Sequence, residues 1–354
     1  MAFEFVPAQA SEQEELIRFL VTTFQADPAL ISFRPDVVRW KYFSEHPEWP
    51  GPRSYVVKEN VKEKNVKEKN EIVAHGGVWP IRLAGPAGPI RAIHLIDWAA
   101  SRSAVGAGVF LLRKMATLSD VLLTIGGSPD TRAVLPKLGY RNCGELRQYA
   151  RVIRPWMQFR TTPEKNWKTP LKWLRNSVRA ISGIGQVPAG WEASKVAAFE
   201  GEPDSLTGIT PNILSPRTSA SLNYLLNCPA ATFAAYTVSQ SQRLCGYFLI
   251  AKIGGQARVI DLCVKSESQE SWNATCLLAA HTAAGDPEIC EVVAASSIGP
   301  VQDAWLRAGF VERRREPIYC YDPRKVLPPG VPLDLNLIDG DQCFMTDPRS
   351  PYLL

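Results

Sequence analysis

Apolar residues along this chain follow two periods, and the stretch from Ile93 to Tyr140 shows both in quick succession. AIHLIDWAA, Ala92 to Ala100, sets β-branched and aromatic residues around one acid, Asp97, and predicts a strand. SRSAVGAG, Ser101 to Gly108, is a glycine-bearing turn. VFLLRKMATLSD follows as a helix, with Phe110, Leu111, Met115 and Leu118 on roughly one face. VLLTIGG, Val121 to Gly127, is a second strand. Ser128-Pro129-Asp130 then opens a short helix, a capping residue followed by proline at the first helical position.

The chain before this stretch predicts a strand at Phe3 to Pro7 and a helix capped by Ser11 and Glu14, with Leu16, Phe19, Leu20 and Phe24 as its apolar face. Pro28 to Pro35 breaks that helix. VVRWKYFSEHPEWPGP, Val37 to Pro52, reads as an amphipathic helix whose tryptophans join the core. Ser54 to Asn60 and Glu71 to Gly85 predict a hairpin. Between them VKEKN occurs twice, and the run from Lys58 to Glu71 holds five Lys and four Glu, the composition of a solvated extension. Gly144 to Pro155 is expected to close the first sheet.

Residues 154 to 190 differ in character. Arg154, Arg160, Lys165, Lys168, Lys172, Arg175 and Arg179 stand against a lone Glu164, while Trp167, Leu171, Leu174 and Val178 fall at helical spacing. The expectation is an interdomain helix that packs this stripe and shows its cations to water. A basic amphipathic helix also suits an anionic membrane surface or RNA. Gly183 to Gly190 reads as a linker.

The last part repeats the first faintly. Strands at Thr232 to Ser239, Arg243 to Gly255 and Ala257 to Ser266 precede a helix, a strand at Ile289 to Ser297, a helix ending at Phe310 and a strand at Arg315 to Pro323. Asp261 takes the place of Asp97, and Gly309-Phe310 that of Gly139-Tyr140. The glycine turn is not repeated. Glu267 and Glu270 stand at that helix start and would repel an anion.

Length and composition narrow the picture. The chain has 354 residues, enough for two domains, and is 45% hydrophobic and 21% charged. A net charge of +5 is too small to argue for nucleic acid. Eight cysteines show no CxxC spacing, so neither a zinc site nor a disulfide framework is indicated. The N-terminus lacks the pattern of a signal peptide, and no apolar run reaches membrane-spanning length, so a cytoplasmic protein is expected.

The turn carries the chemistry. A turn leading into a helix N-terminus presents unpaired N–H groups and the positive end of a dipole, which favours an anion such as a phosphate. It is neither a GxGxxG fingerprint nor a P-loop. Acidic strand, GxG turn, helix, strand and a helix ending in Leu-Gly-Tyr together resemble the GNAT acyltransferase superfamily over about residues 1–150. SAVGAG matches both glycines of its Arg/Gln-x-x-Gly-x-Gly/Ala turn, with Ser103 in the Arg/Gln place; LPKLGY matches its closing signature, with Leu135 in the aromatic slot. The WKY segment around Trp40 and the tail LIDGDQC resemble segments of tandem GNAT-like proteins; the DGD ending also resembles Fem-type transferases.

The resemblance implies an α+β protein with two GNAT-like domains, 1–155 and 191–325, each a mixed, mostly antiparallel sheet flanked by helices. Residues 156–190 form a basic linker and 326–354 a tail. It implies acetyl-CoA or another acyl-CoA bound by Trp98, Ala99, Arg102, Ser103, Val105, Gly106, Ala107, Gly108, Val109 and Ser128. Asp97, His94 and His75 are the candidate catalytic groups for transfer to a small amine or sugar-amine acceptor. Strand alternation separates His94 from Asp97 unless the strand bulges. The general acid is unassigned, since Leu135 fills the family's tyrosine slot. No metal is expected: Asp339 and Asp341 could bind a cation, but two carboxylates are too few for a site. A Fem-type transferase using charged tRNA and a non-catalytic acyl-CoA-binding module are the alternatives.

Overall fold

A computed structural model describes residues 3–61, 69–85, 88–201, 215–266 and 268–353. Most of the VKEKN repeat, residues 62–68, and Glu267 lie outside the described residues. The first half of the chain runs β1 (Phe3–Pro7), α1 (Gln13–Phe24), α2 (Pro35–Val38), β2 (Ser54–Val61), β3 (Lys69–Gly85) and β4 (Gly88–Ala100). It continues through α3 (Ala107–Met115), β5 (Val121–Ile125), α4 (Pro129–Val134) and β6 (Arg141–Val152). Two connecting helices follow, α5 (Pro155–Thr161) and α6 (Thr169–Ile181). The second half runs β7 (Trp191–Val196), α7 (Ser219–Leu226), β8 (Thr232–Gln240), β9 (Arg243–Ile253), β10 (Gln256–Val264), α8 (Gln269–Gly285), β11 (Glu291–Ser296), α9 (Gly299–Arg307) and β12 (Val311–Tyr321).

Local signals decide most of these boundaries. Ser128 caps α4 by accepting from the Thr131 N–H at 3.2 Å. The start of α1 differs from expectation. A 3-10 turn, Ala10–Glu12, precedes it, and the reciprocal cap joins Gln9 to Glu12 rather than Ser11 to Glu14. The Val37 segment is not one amphipathic helix either. After α2 it widens into a π-helical turn, Arg39–Phe43, that buries Trp40, Lys41 and Tyr42 together.

All twelve strands join one sheet in the order β1-β2-β3-β4-β5-β12-β6-β11-β10-β9-β8-β7. Among the described residues, β4–β5 and β10–β11 pair in parallel and the other pairs are antiparallel. The order reads the same from either end about the β12–β6 pair. Each half therefore has its last strand lodged in the other. β12 lies between β5 and β6, and β6 pairs with β11, not with β5. Ile318 faces Ile125, and Gln148 faces Ala295. The offset relating those two pairs also carries Gly139-Tyr140 onto Gly309-Phe310. The expectation that 144–155 closes the first sheet by itself is thus corrected: it closes the second half, and β12 closes the first.

The helices sort to the two faces. α3 packs Leu111, Leu112 and Met115 on Ile93, Leu95 and Leu122. α8 and α9 do the same for the second half, around Trp272, Ala279 and Trp305. The opposite face carries α1, α2, α7 and the tail in one core shared by both halves, from Leu16 and Trp40 through Leu222 and Leu249 to Leu335 and Phe344. α6 is inverted relative to expectation. Its polar Thr169 and Asn176 are buried, while Leu171, Leu174, Val178 and Ile181, and Trp167 in the turn before it, are exposed.

Candidate functional site

β4 bulges where it carries its acid. His75 pairs with Ala99 and Gly77 with Ile96, so Asp97 and Trp98 oppose the single Gly76. Asp97 takes a left-handed backbone, φ 47°, which aspartate tolerates better than most side chains. The extra residue defeats the simple alternation, and His94 and Asp97 reach the same face of the sheet.

Lys41 meets them there. Its ammonium, almost fully buried, bonds Asp97 Oδ2 and, at 2.5 Å, Asp341 Oδ2. The Tyr42 hydroxyl donates to the same Asp97 oxygen. Asp97 Oδ1 makes no hydrogen bond among the described residues, and the side chain is 13% exposed. Burial opposes charge on Lys41, yet Asp341 and Asp97 outweigh it and push its pKa well above the usual lysine value. Burial would raise Asp97, but Lys41 and Tyr42 hold it below the usual carboxylate range. Burial and the Asp97 charge raise Asp341.

The two histidines hold this arrangement from behind. His75 donates through Nδ1 to the Asp97 carbonyl at 3.0 Å, and its Nε2 meets Ser54 Oγ at 3.0 Å. His94 Nδ1 meets the Asp339 carbonyl at 2.8 Å, and its Nε2 accepts the Ile125 N–H at 3.3 Å. A carbonyl partner fixes the proton on Nδ1 in both rings. Burial lowers both pKa values, that of His75 to about 4. Each ring is therefore neutral with both nitrogens engaged. The bond to Ile125 also explains why β4 and β5 part. Their ladder ends at His94 and Leu123, and the imidazole takes the next N–H.

The second half repeats the pattern with different residues. β10 bulges between Val259 and Asp261. Asp261 bonds Arg217 at 3.2 Å, Tyr247 Oη at 3.0 Å and Asn336 Nδ2 at 3.0 Å. Arg217 in turn grips Asp339 with two bonds, 2.7 and 2.8 Å. Asp339-Gly340-Asp341 thus hands one carboxylate to each half. Gly340 is needed for closeness, since a Cβ there would lie 2.8 Å from the His94 ring. Lys41, Arg217 and Tyr247 were not singled out in the sequence; the WKY and DGD segments were the available signals. Asp339 and Asp341 each bind a cationic side chain, and no cluster suited to a metal ion exists among the described residues.

A partly open cleft lies beside this junction, walled by Trp40, Trp79, Arg53, Tyr224, Arg217 and Asp339. Trp40 Nε1 and Arg53 Nε are buried there without a hydrogen-bond partner among the described residues.

The turn lies at the far end of β4. The N–H groups of Val105, Gly106, Gly108 and Val109 have no partner among the described residues. Gly106 has φ 90° and open space where a Cβ would be, and Val105 is 89% exposed. A Cβ on Gly108 would meet the Ala100 methyl at 3.0 Å and crowd Trp98, whose Nε1 is buried and unpaired. Ala107 is buried and its N–H is taken by Ala104. Arg102 is exposed, Ser103 shares a hydrogen bond with Ser101, Ala99 is buried against β3, and Ser128 is occupied as a cap. The counterpart in the second half is closed: Ser268 caps α8 by accepting from Ser271, and Glu270 sits in its first turn.

The fold is that of tandem GNAT proteins. It is similar to a GCN5-related N-acetyltransferase from Anabaena variabilis, with TM-score 0.56 and 12% identity, covering 91% of this chain and 73% of that one. It is similar over 91% of this chain and 98% of the other to a tandem GNAT protein from the clavulanic acid biosynthesis pathway, with TM-score 0.54 and 13% identity. A putative acetyltransferase from Pyrococcus horikoshii matches with TM-score 0.52 and 9% identity over 95% and 93% of the two chains. No family model and no curated protein matches the sequence. The first half presents a cradle for an anion: four free amides, a glycine pressed close to β4, and a strand end left open by its neighbour.

Proposed function

We propose that the protein is an acyl-CoA-dependent N-acyltransferase, with the donor on the first half and the acceptor in the cleft between the halves. The observation that carries this is the set of unpaired amides from Val105 to Val109 at the N-terminus of α3, which suits a diphosphate. Trp98 and Ala99, on the part of β4 free of β5, would hold the pantetheine arm. Acyl-CoA would supply a thioester-activated acyl group there.

This chain's own residues then orient the acceptor. Asp97 stays ionised beside Lys41 and keeps Oδ1 free, so it would attract and align an acceptor ammonium. A carboxylate held so acidic is a weak base, and the rate rests largely on positioning. His75 and His94 act as positioning residues. The unpaired donors of Trp40 and Arg53 suit an acceptor bearing oxygen, as a sugar amine does.

Thermal shift with acetyl-CoA, longer acyl-CoAs and CoA tests the reading. Val105→Glu places a carboxylate beside the amides at an exposed site and should weaken any CoA species by at least about 10-fold, leaving the ligand-free melting temperature unchanged. Release of CoA thiol in the presence of an amine panel then separates a transferase from a binding module. No shift with any CoA species overturns the proposal and returns the tRNA-dependent alternative.

A further inference from the structure

Among the described residues, no element covers the apolar face of α6. Leu171, Leu174, Val178 and Ile181 lie within about 40° of one line along the helix, and Trp167 stands in the turn just before it. All are more than half exposed, Ile181 at 83%. The side that packs on the protein is polar instead, through Asn176 to Gln158 at 2.9 Å and Thr169 to Asn166. Trp156 of α5 is also exposed, and it stacks on Phe159 with Trp173 at its edge. Lys168, Lys172, Arg175 and Arg179 line one flank of the stripe, with Arg160 and Lys165 nearby. Glu164 is the single acid between 154 and 181.

We propose that the α5–α6 hairpin docks on an anionic lipid bilayer, with α6 lying in the plane of the interface. The charge is complementary to such a surface, and tryptophan beside cations is the composition that settles at the headgroup level. α6 is about 20 Å long, too short to span the hydrocarbon core. No helix among the described residues is long and apolar enough to cross a membrane. A second copy of the chain would meet the same row of cations edge to edge, and RNA would gain nothing from the aliphatic residues of the stripe. The proposal is independent of the transferase reading.

Co-sedimentation with vesicles of phosphatidylcholine, with and without phosphatidylglycerol, tests it on the full chain. Binding is expected on the anionic vesicles, at least about 10-fold above the neutral ones, and should fall as salt rises. Two double variants at exposed positions, Leu174→Ser with Val178→Ser and Lys172→Glu with Arg179→Glu, should each abolish it while leaving the melting temperature unchanged. The tryptophan emission should shift to the blue only with anionic vesicles. No binding to either vesicle overturns the proposal, as does binding that survives both variants. So does a dimer in light scattering that the Leu174→Ser and Val178→Ser pair dissociates, or RNA binding without vesicle binding.

Discussion

Lys41 sits at the centre of the buried cluster, and its removal shows what the cluster is worth. Lys41→Met leaves Asp97 and Asp341 close together without their cation, which should cost roughly 3–5 kcal/mol in urea unfolding. Adding Asp97→Asn should recover part of that loss, a coupling a double-mutant cycle reads directly. A second carboxyl responds to pH. Asp334, beside Asp261 and Asp339, is pushed up to about 7 by burial and by those charges. Its folded pKa lies above its unfolded one, so the folded state binds the proton more tightly and stability falls as pH rises from about 4 to 7. Asp334→Asn should therefore raise the melting temperature at pH 8 and leave it nearly unchanged at pH 4, with an upper bound of about 4 kcal/mol. Asp97, His75 and His94 were legible from the sequence because an acid or histidine in a β-branched strand has few reasons to be there. Lys41 was not, because a lysine between aromatic residues in an amphipathic segment reads as a solvated side chain. Only the fold brings it against an acid 300 positions further on.

At the scale of elements, periodicity located the pieces but not always the side they bury. The α3, β5 and α4 run lay where the pattern placed it, since each is framed by a cap, a glycine or a proline. The spacing in α6 was equally clear, yet its stripe faces outward: hydrophobic pattern assumes an inner partner, and none is present among the described residues. The bulge in β4 could be named only as a condition, because the sequence does not show which residue the neighbouring strand skips. The tail was legible as a motif and illegible as a clasp. Asp339 and Asp341 point to opposite halves, and Gly340 lets the backbone pass against His94. Gly340→Ala should push the tail off the imidazole at a cost of about 1–3 kcal/mol. Its sharper sign is paired loss: hydrogen exchange should accelerate at Ile125, whose N–H rests on His94, and at Asn336, whose N–H rests on Asp339.

The whole molecule turns on the exchange of β6 and β12. A repeat in the sequence suggests two bodies joined by a linker, and local patterns cannot say otherwise, because strand partners far apart in sequence leave no periodic trace. The sheet binds the halves more closely than a linker would. β5 has β12 as its outer partner, β11 has β6, and the two exchanged strands pair with one another. Neither half can leave the folded state without stripping a strand from the other. The core on the tail side is shared as well, from α1 to Phe344. Independent domains would give two unfolding steps, one for each half. Interlocked halves should give one. Urea unfolding followed by far-ultraviolet circular dichroism and by tryptophan emission should show coincident midpoints, and a fragment ending after Val152 should lack the near-ultraviolet signature of a packed core. Separate transitions for the two halves, or a well-packed fragment, would show that the exchanged strands contribute little to the coupling.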